Sequence, residues 1–545
     1  MEELYRVEHL NHLGIVAEVC REIGVAEWLN QHDPENRQQV SVGTATVAMV
    51  LNGLGFSNRQ LYLLPQFFAD KPIEHLLGTG IKAEDLNDDC LGRTLDWLYE
   101  QDVTQLFAGI ALRARKAFGI TAGRLHADTT SFSVQGAYEA QEEDAEQVIA
   151  ITYGYSRDHR EDLKQWMLSI ITSGEGVPLF LRPLNGNASD KQALAEAVKS
   201  LTRQLKKANE APGVYIADSG VYSTENMTGF NAENTHVDWV SRVPETMSAA
   251  KAMVMETPEV WQSNELGTRQ WWSRVVLLPQ GPERWIVVRT KEGIERARKT
   301  VQRRVEREQE VWNKRIWHVS HQDFACEQDA QNAYEQTIKK CPSWFAPAST
   351  CTSHATYEQR GRPRKDPSPV MVWQMHATLT VIPAAVEAEV LRDAAFIVGT
   401  NLLDATVWSD AAILALYREQ SVVEKGFAFL KDPLFLASSV FVKKPERIMA
   451  IAFLMVVCLL VYKLAEVRIR QRLATTGQTV PNQLKRPTAR PTMRWLFHCF
   501  EGIDLLAVRS PTGEWLPSIL RLSDLHRLVL HLLGPAYEYS YLCSS

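Results

Sequence analysis

Residues 164–184, KQWMLSIITSGEGVPLFLRPL, contain two apolar runs separated by the tetrapeptide Ser-Gly-Glu-Gly. Apolar, β-branched runs on either side of a short Gly-rich turn are typical of a β-hairpin. The pattern also predicts a strand at 124–134 before the hairpin, and a helix from about 189 to 208 with strands at 213–220 and 236–243 after it. Because the first three strands are joined tightly and the fourth follows a helix, we expect a mixed sheet with helices packed on it, an α/β fold.

The composition is that of an ordinary soluble globular protein. The chain has 545 residues, of which 45% are hydrophobic and 23% are charged, and this length suggests roughly two to four domains. The net charge is −6, so any basic surface has to be local. The eight cysteines include no Cys-x-x-Cys pair, which favours reduced thiols in a cytoplasmic protein over a disulfide framework or a zinc site.

The regions before and after the predicted sheet differ in their sequence patterns. Residues 1–120 show helical periodicity throughout, which fits either a DNA-binding helix–turn–helix or a plain packing domain. A hairpin at 269–290 and a strongly charged helix at 291–315 interrupt the sheet pattern; alternating Glu and Arg favour a salt-bridged surface for that helix. The predicted organisation is an all-α N-terminal domain (1–120), a first part of the α/β domain (121–243), an α+β insertion (244–393), a second part of the α/β domain (394–472) and a C-terminal helical region (473–545).

The most apolar run is IMAIAFLMVVCLLVY, residues 448–462. It is shorter than the ~20 residues that a membrane span needs, and it continues without a break into the basic stretch KLAEVRIRQRL. We therefore expect a buried helix, with a membrane anchor as the alternative.

A second helical stretch, YREQSVVEKGFAFLKDP at 417–433, carries Tyr417, Glu424 and Lys431 at steps of seven. Seven residues are almost two helical turns, so a single helix would place the three side chains in one stripe beside its apolar face. We expect Glu424 at the rim of the core, where a charge is costly unless a positive group meets it.

Three acidic residues have settings that suggest a metal site. Asp128 interrupts an apolar strand, Asp218 ends the strand GVYIA, and Glu424 lies on the helix just described. Carboxylates at the carboxyl ends of strands point into the crevice where α/β folds bind ligands, and clustered carboxylates are relieved by divalent cations such as Mg²⁺. Taken singly, each residue has a simpler explanation as a turn, cap or ion-paired residue; their order along the chain gives the metal hypothesis its weight.

With these three acids in order, the sequence resembles the DDE-type transposases of bacterial insertion sequences. The branch it resembles has a signature of Tyr, Arg, Glu and Lys, and Tyr417, Glu424 and Lys431 stand at three of those places while Gln420 stands where the branch has Arg. The segments GYSRDHREDLKQ, GNASDK, YIADSGVYS and VEKGFAFLKDPLFL are similar to the insertion-sequence family numbered sixteen thirty-four. The resemblance covers nearly the whole chain and implies a ribonuclease H-like catalytic domain.

The resemblance implies cleavage at transposon ends and joining of the 3′-OH to target DNA by phosphoryl transfer. Two Mg²⁺ (or Mn²⁺) ions would be held by Asp128, Asp218 and Glu424, and the protein would act as a homodimer on transposon-end and target DNA, in the cytoplasm of a bacterium and away from membranes. The residues expected to contact DNA are Tyr417, Gln420, Lys431, Arg157, Arg160 and Lys164.

Two other basic segments each fit two alternative roles. RGRPRK (360–365) fits either a minor-groove hook or a basic surface loop. The stretch KLAEVRIRQRL with Lys485, Arg486, Arg490 and Arg494 either binds DNA or covers the sheet. A catalytically weak DNA-binding relic and a general metal nuclease of the same fold remain as competing functions; the absence of Gly-x-Ser-x-Gly, His-Glu-x-x-His and P-loop motifs argues against other hydrolase classes.

Overall fold

The computed structural model describes residues 4–34, 38–56, 61–136, 138, 148–155, 160–232, 236–256, 258–357, 369–432, 444–511 and 515–542, without the side chains of 421–423 and 542. The chain divides into two units. The first unit comprises Met1–Ser241, Leu277–Pro282 and Thr400–Ser545, and the second comprises Arg242–Val276 and Glu283–Gly399. Elements are numbered along the whole chain.

The N-terminal region of the first unit is mainly helical, but it begins with a strand. β1 (Tyr5–His9) pairs antiparallel with β15 (Asp504–Arg509), which pairs with β16 (Trp515–Leu520). This three-stranded sheet corrects the expectations of an all-α N-terminal domain and a helical C-terminal region. The paired residues His9 and Asp504 are 495 positions apart, so the short strand has no local pairing signal. The helices that follow are α1 (Leu13–Glu22), α2 (Val25–Gln31), α3 (Val42–Leu54), α4 (Leu64–Phe68), α5 (Ile73–Leu77), α6 (Asp88–Glu100) and α7 (Val103–Phe118).

A mixed sheet in the first unit confirms the predicted α/β fold. Its strands are β2 (Arg124–Val134), β3 (Lys164–Ser173), β4 (Pro178–Leu184), β5 (Val214–Ala217) and β6 (Trp239–Arg242), in the order β4-β3-β2-β5-β6. The pairs β2–β3 and β3–β4 are antiparallel, whereas β2–β5 and β5–β6 are parallel. The predicted hairpin turn is present, since the Gly176 N–H donates to the Ser173 carbonyl at 2.9 Å. Helices α8 (Asp190–Lys207) and α9 (Thr224–Asn231) connect the later strands.

The apolar run at 448–462 lies within α16 (Pro445–Thr476), the central helix of the first unit. It contacts α1, α3, α6, α7 and β4, and 89% of its most apolar window is buried in the protein. This helix is long and apolar enough to cross a membrane, but such burial is equally typical of a core helix. The remaining elements of the unit are α14 (Asp410–Arg418), α15 (Ser421–Leu430), β13 (Val480–Pro481), β14 (Pro487–Thr488), α17 (Met493–Cys499), α18 (Asp524–Leu533) and α19 (Pro535–Leu542).

The second unit combines strands and helices, as expected for the insertion. β7 (Gln262–Ser263), β8 (Arg269–Leu278), β9 (Gly281–Thr290) and β12 (Ala395–Thr400) lie in the order β12-β9-β8-β7, and β10 (Phe345–Thr356) pairs with β11 (Val370–Val381) in a separate ribbon. Its helices are α10 (Ser248–Met255), α11 (Lys291–Ser320), α12 (Glu327–Ile338) and α13 (Pro383–Asp393). Arg298 and Arg304 of α11 pair with Glu387 and Glu389 of α13, which confirms the salt-bridged surface predicted for the charged helix.

Candidate functional site

Asp128 lies in the middle of β2, where both neighbouring positions are covered. Its side chain is only 7% exposed, and its Oδ1 accepts a hydrogen bond from the Thr129 N–H at 2.7 Å. Successive side chains of a strand point to opposite faces, so Asp128 shares a face with His126 and Phe132, while Thr129 points the other way. Thr129 Oγ1 donates to Asp190 Oδ1 of α8 at 2.8 Å, which places α8 on the face opposite Asp128.

The register between β2 and β5 brings the two aspartates to the same level. The parallel pairing aligns Arg124 with Val214 and His126 with Ile216. Extending this register by two residues aligns Asp128 with Asp218, and residues aligned in this way point to the same face. Asp128 thus lies within the first strand of this sheet, and Asp218 directly follows its fourth strand, β5.

The loop after β5 fixes the Asp218 carboxylate from its own backbone. Asp218 Oδ1 accepts the Gly220 N–H at 2.7 Å, and the Asp218 carbonyl accepts the hydroxyl of the buried Ser241 at 2.8 Å. A Cβ at Gly220 would lie only 2.7 Å from Asp218 Oδ1. Glycine at 220 is thus what allows the close approach. The Ser241 contact joins residues 23 positions apart, and no sequence pattern indicated it.

The stretch at 417–433 is not one helix, which corrects the prediction of a single stripe. The N–H groups of Glu419 and Gln420 bond to carbonyls three residues back, at 3.1 and 3.2 Å, so α14 ends and α15 begins across a tight turn. The continuous helix on which the single stripe depends is therefore interrupted at residues 419–420. Tyr417 is half-buried at the end of α14, and Gln420 immediately precedes α15 without capping it.

Two contacts fix α15 along β2. Arg124, at the start of β2, holds both carboxylate oxygens of Glu419 at 2.7 and 2.8 Å. Lys431 Nζ, just after α15, lies 5.8 Å from the centroid of the Phe132 ring near the other end of β2. Along the chain, Glu424 lies between these two contacts on the α15 side, and Asp128 lies between them on β2.

Glu424 is exposed on the first turn of α15, not at the rim of the core as the single-helix interpretation predicted. A carboxylate in the first turn is favoured by the positive end of the helix dipole, so its position has a local explanation as well. Within the described part of the chain, no three His, Cys, Asp or Glu side chains are grouped so as to hold a metal ion. Asp128 lies on β2, Asp218 directly follows the neighbouring strand β5, and Glu424 lies on α15, which contacts β2.

His126 is a buried neighbour that sequence reasoning missed. Burial, together with the nearby Arg124, lowers its pKa to about 4, so the ring is neutral near pH 7. Neither ring nitrogen has a hydrogen-bond partner in the described chain.

The residues expected to contact DNA have diverse surroundings. Arg160 forms two hydrogen bonds with Asp162, both at 2.8 Å, so its charge is already paired. Lys164 Nζ donates to the Tyr138 carbonyl at 3.3 Å. Arg157 and the segment RGRPRK lie outside the described residues.

A mixed sheet with one aspartate on β2 and another directly after the neighbouring parallel strand β5 defines the class as an α/β protein with acidic residues on adjacent strands. Residues 124–461 match the family described as "Transposase DDE domain", and because this match covers more than half of the chain, the protein belongs to that family. Residues 5–112 match a family described as "Domain of unknown function (DUF4277)". No curated protein matches the chain.

Among solved structures, one similar chain is that of the cryo-EM structure of the piggyBac transposase synaptic complex with hairpin DNA. The sequence identity is 8%, the TM-score is 0.37, and the alignment covers 89% of this chain and 79% of the other. A TM-score of that size does not establish a common fold.

Proposed function

We propose that the protein cleaves the ends of an insertion sequence and joins the resulting 3′-OH to target DNA. The observation that carries the proposal is the parallel register of β2 and β5 inside the range that matches the DDE transposase family. Extended by two residues, this register supports the pairing of Asp128 with Asp218. The mixed strand order supports a ribonuclease H-like catalytic domain. The motif similarity supports the branch with the Tyr-Arg-Glu-Lys signature and the family numbered sixteen thirty-four, and with it a bacterial, cytoplasmic setting.

Asp128, Asp218 and Glu424 are the proposed ligands of two Mg²⁺ or Mn²⁺ ions. The donor chemistry fits, because these cations prefer carboxylate oxygens, and Asp218 and Glu424 are both accessible from solvent. Bound ions would supply charge neutralisation at the phosphate and activation of the attacking oxygen. The chain's own contribution is positional: the Gly220 N–H and Ser241 hold Asp218, and the contacts at Glu419 and Lys431 hold α15, so that turning the exposed Glu424 toward β2 completes the ligand set.

Lys431 and Tyr417 are proposed to contact the DNA backbone beside the acids. A lysine supplies a point charge suited to phosphate, and the ring of Phe132 under Lys431 fixes where that charge lies. Gln420 stands where the resembled branch has Arg, so Gln420→Arg adds a phosphate contact and raises cleavage in this proposal.

The domain roles follow from the same proposal. Residues 121–243 and 394–472 form the catalytic domain, 244–393 the insertion, 473–545 the C-terminal region, and 1–120 a domain for binding the transposon end. A reaction on two ends calls for a homodimer on DNA.

The test uses the full chain and a duplex that carries the terminal repeat flanking its gene. Asp128→Asn, Asp218→Asn and Glu424→Gln should each abolish Mg²⁺-dependent cleavage and leave duplex binding intact, because they remove ligand charge and keep side-chain size. Glu259→Gln removes an exposed carboxylate of the second unit and should cleave normally. Normal cleavage by any of the three variants overturns the role of that residue. Binding without cleavage by the unmodified chain identifies a relic, and equal cleavage of an unrelated duplex without joining identifies a general nuclease.

A further inference from the structure

The segment 467–500 is the most one-sidedly charged stretch of the first unit. It contains seven Lys or Arg residues and no Asp or Glu, in a chain whose net charge is −6. Because long-range attraction for a polyanion depends on local charge, the question is which of these cations are available to a partner.

Three of the seven are engaged inside the protein. Arg468 binds Glu22 through two hydrogen bonds of 2.6 Å, Arg470 pairs with the buried Glu466 at 2.9 Å, and Arg494 pairs with Asp432 at 2.6 Å. Arg468 connects α16 to α1, and Arg494 connects α17 to the residue after Lys431. The charges of these three arginines are therefore engaged within the first unit.

The other four cations are exposed. They are Arg472, Lys485, Arg486 and Arg490. None of these four forms an ion pair with any residue that the structure describes. Arg472 lies near the end of α16, and the other three lie on residues 480–490, which we call the basic hairpin.

The basic hairpin is an ordered structure and not a loose tail. β13 pairs with β14, and the side chain of Asn482 accepts the N–H groups of Leu484 and Arg486 at 2.9 and 3.0 Å, closing the turn. Trp495 of α17 donates its ring N–H to the Pro481 carbonyl at 2.8 Å. The cations are thus presented on a short, anchored projection, which reduces the entropy lost when they meet a ligand.

Lys485 occupies a backbone conformation that its side chain does not favour. Its φ is +58°, in the left-handed region where Gly or Asn is the ordinary choice. A lysine that serves only the turn would be a poor solution at this position. The presence of lysine at this position is explained if its charge is presented to a ligand at the tip of the basic hairpin.

A chain of contacts leads from the basic hairpin to the candidate site. Trp495 joins the hairpin to α17, the adjacent Arg494 bonds Asp432, and Asp432 follows Lys431, whose Nζ lies over Phe132 of β2. Along this chain of contacts, the tip of the basic hairpin lies on the order of 20–30 Å from the end of α15. This distance is shorter than about ten base pairs of duplex DNA, at ~3.4 Å per base pair.

We propose that the basic hairpin, with Arg472, binds the phosphate backbone of duplex DNA within about one helical turn of the scissile bond. The inference rests on the proposed function, because it takes DNA at the acids as given. Its ligand chemistry is a row of phosphates, which both a transposon end and target DNA supply.

The experiment measures binding of the full chain carrying Asp128→Asn to two duplexes of about 40 base pairs, one with the element's terminal repeat and one of unrelated sequence. Fluorescence anisotropy is recorded between about 50 and about 200 mM salt. The triple change Lys485→Gln, Arg486→Gln and Arg490→Gln should reduce the slope of log K against log salt by about 2–3, since each phosphate contact contributes about 0.9, and weaken binding about 10–100-fold at low salt.

The matched control removes three exposed cations at the far end of α8, through Arg203→Gln, Lys206→Gln and Lys207→Gln. It makes the same change in net charge about 25 Å along a helix whose other end contacts β2, and it should leave the slope unchanged. Lys485→Asn should lower the slope by about 0.9 while the melting temperature stays the same or rises, because Asn tolerates the left-handed conformation. If Lys485 had only a structural role, Lys485→Asn would lower the melting temperature and leave the slope of log K against log salt unchanged.

An unchanged slope in the hairpin triple variant, or an equal loss in the α8 control, overturns the proposal. A loss confined to the terminal-repeat duplex assigns the hairpin to the transposon end, and a loss on both duplexes assigns it to DNA backbone in general. Cleavage by the chain with Asp128 restored is measured in parallel. If that chain cuts and the slope is unchanged, only the hairpin assignment fails; if it neither binds nor cuts, the proposed function fails with it.

Discussion

Replacing Gly220 by alanine tests how tightly the loop after β5 holds the Asp218 carboxylate. The added Cβ would lie 2.7 Å from Asp218 Oδ1, whereas ordinary contacts begin at 3.4 Å, so the carboxylate has to move by about 0.5–0.7 Å. The same movement weakens the 2.7 Å hydrogen bond from the Gly220 N–H. A displacement approaching 1 Å in a reacting group costs on the order of 10–100-fold in rate, or about 1.4–2.7 kcal/mol of transition-state stabilisation.

The stability of the fold should hardly change in this variant. Residue 220 is half-exposed and its φ lies outside the left-handed range, so alanine is tolerated by the backbone. The smaller conformational entropy of the unfolded chain stabilises by about 0.4–1 kcal/mol, which offsets a weakened hydrogen bond of similar size.

The assay compares single-turnover cleavage of a terminal-repeat duplex with the denaturant midpoint. Gly123→Ala is the matched control, because a Cβ there meets nothing closer than 4.0 Å. It should leave the cleavage rate unchanged and raise the denaturant midpoint slightly, since the same entropy gain has no weakened hydrogen bond to offset it. If Gly220→Ala cleaves at the unmodified rate with an unchanged denaturant midpoint, the position of the Asp218 carboxylate does not limit the reaction.

Three further predictions concern the frame of the site. Ser241→Ala removes the hydroxyl that donates to the Asp218 carbonyl and should cost about 1 kcal/mol of unfolding free energy; an unchanged denaturant midpoint would contradict it. A double-mutant cycle of Arg124→Ala and Glu419→Ala should give a coupling of only about 0.5 kcal/mol, because the pair is 44% and 34% exposed; a coupling above about 2 kcal/mol would show a buried, structurally dominant pair. Burial lowers the pKa of His12 to about 4, below the ~6.5 of an unfolded histidine. The unfolded state therefore binds more protons, and stability should fall on the order of 2 kcal/mol from pH 6.5 towards pH 4. His12→Gln should flatten that dependence, and equal slopes in both proteins would refute the assignment.

The strands of the first unit were predictable because their signals are local. β2 to β6 are short apolar, β-branched segments bounded by turn residues, and the Ser-Gly-Glu-Gly turn identified the β3–β4 hairpin. The pairing of β1 with β15 was not predictable, since its partner lies at the other end of the chain and its five residues carry no strong alternation. The break between α14 and α15 was not predicted for a different reason. Glu419 and Gln420 are good helix formers, so their composition does not indicate the tight turn that they make.

Within the candidate site, the sequence indicated which residues to consider, but it did not indicate their burial or their contacts. Asp128 and Asp218 were located because a polar residue in or after an apolar strand is unusual. Glu424 was expected beside the core and is exposed, on the first turn of a helix that begins at Ser421. The contacts that hold the site, Arg124 with Glu419 and Ser241 with Asp218, join separate elements, so no spacing in the sequence reports them.

Whether Asp128, Asp218 and Glu424 form one metal site is measured by titrating the full chain on a terminal-repeat duplex with Mn²⁺ and following the free ion by electron paramagnetic resonance. This readout does not depend on cleavage. If the three acids form one metal site, the unmodified chain binds Mn²⁺ tightly, and Asp128→Asn, Asp218→Asn and Glu424→Gln each weaken that binding at least about tenfold. Undiminished binding in Glu424→Gln would contradict the account, because the exposed acid on α15 would then take no part in the site.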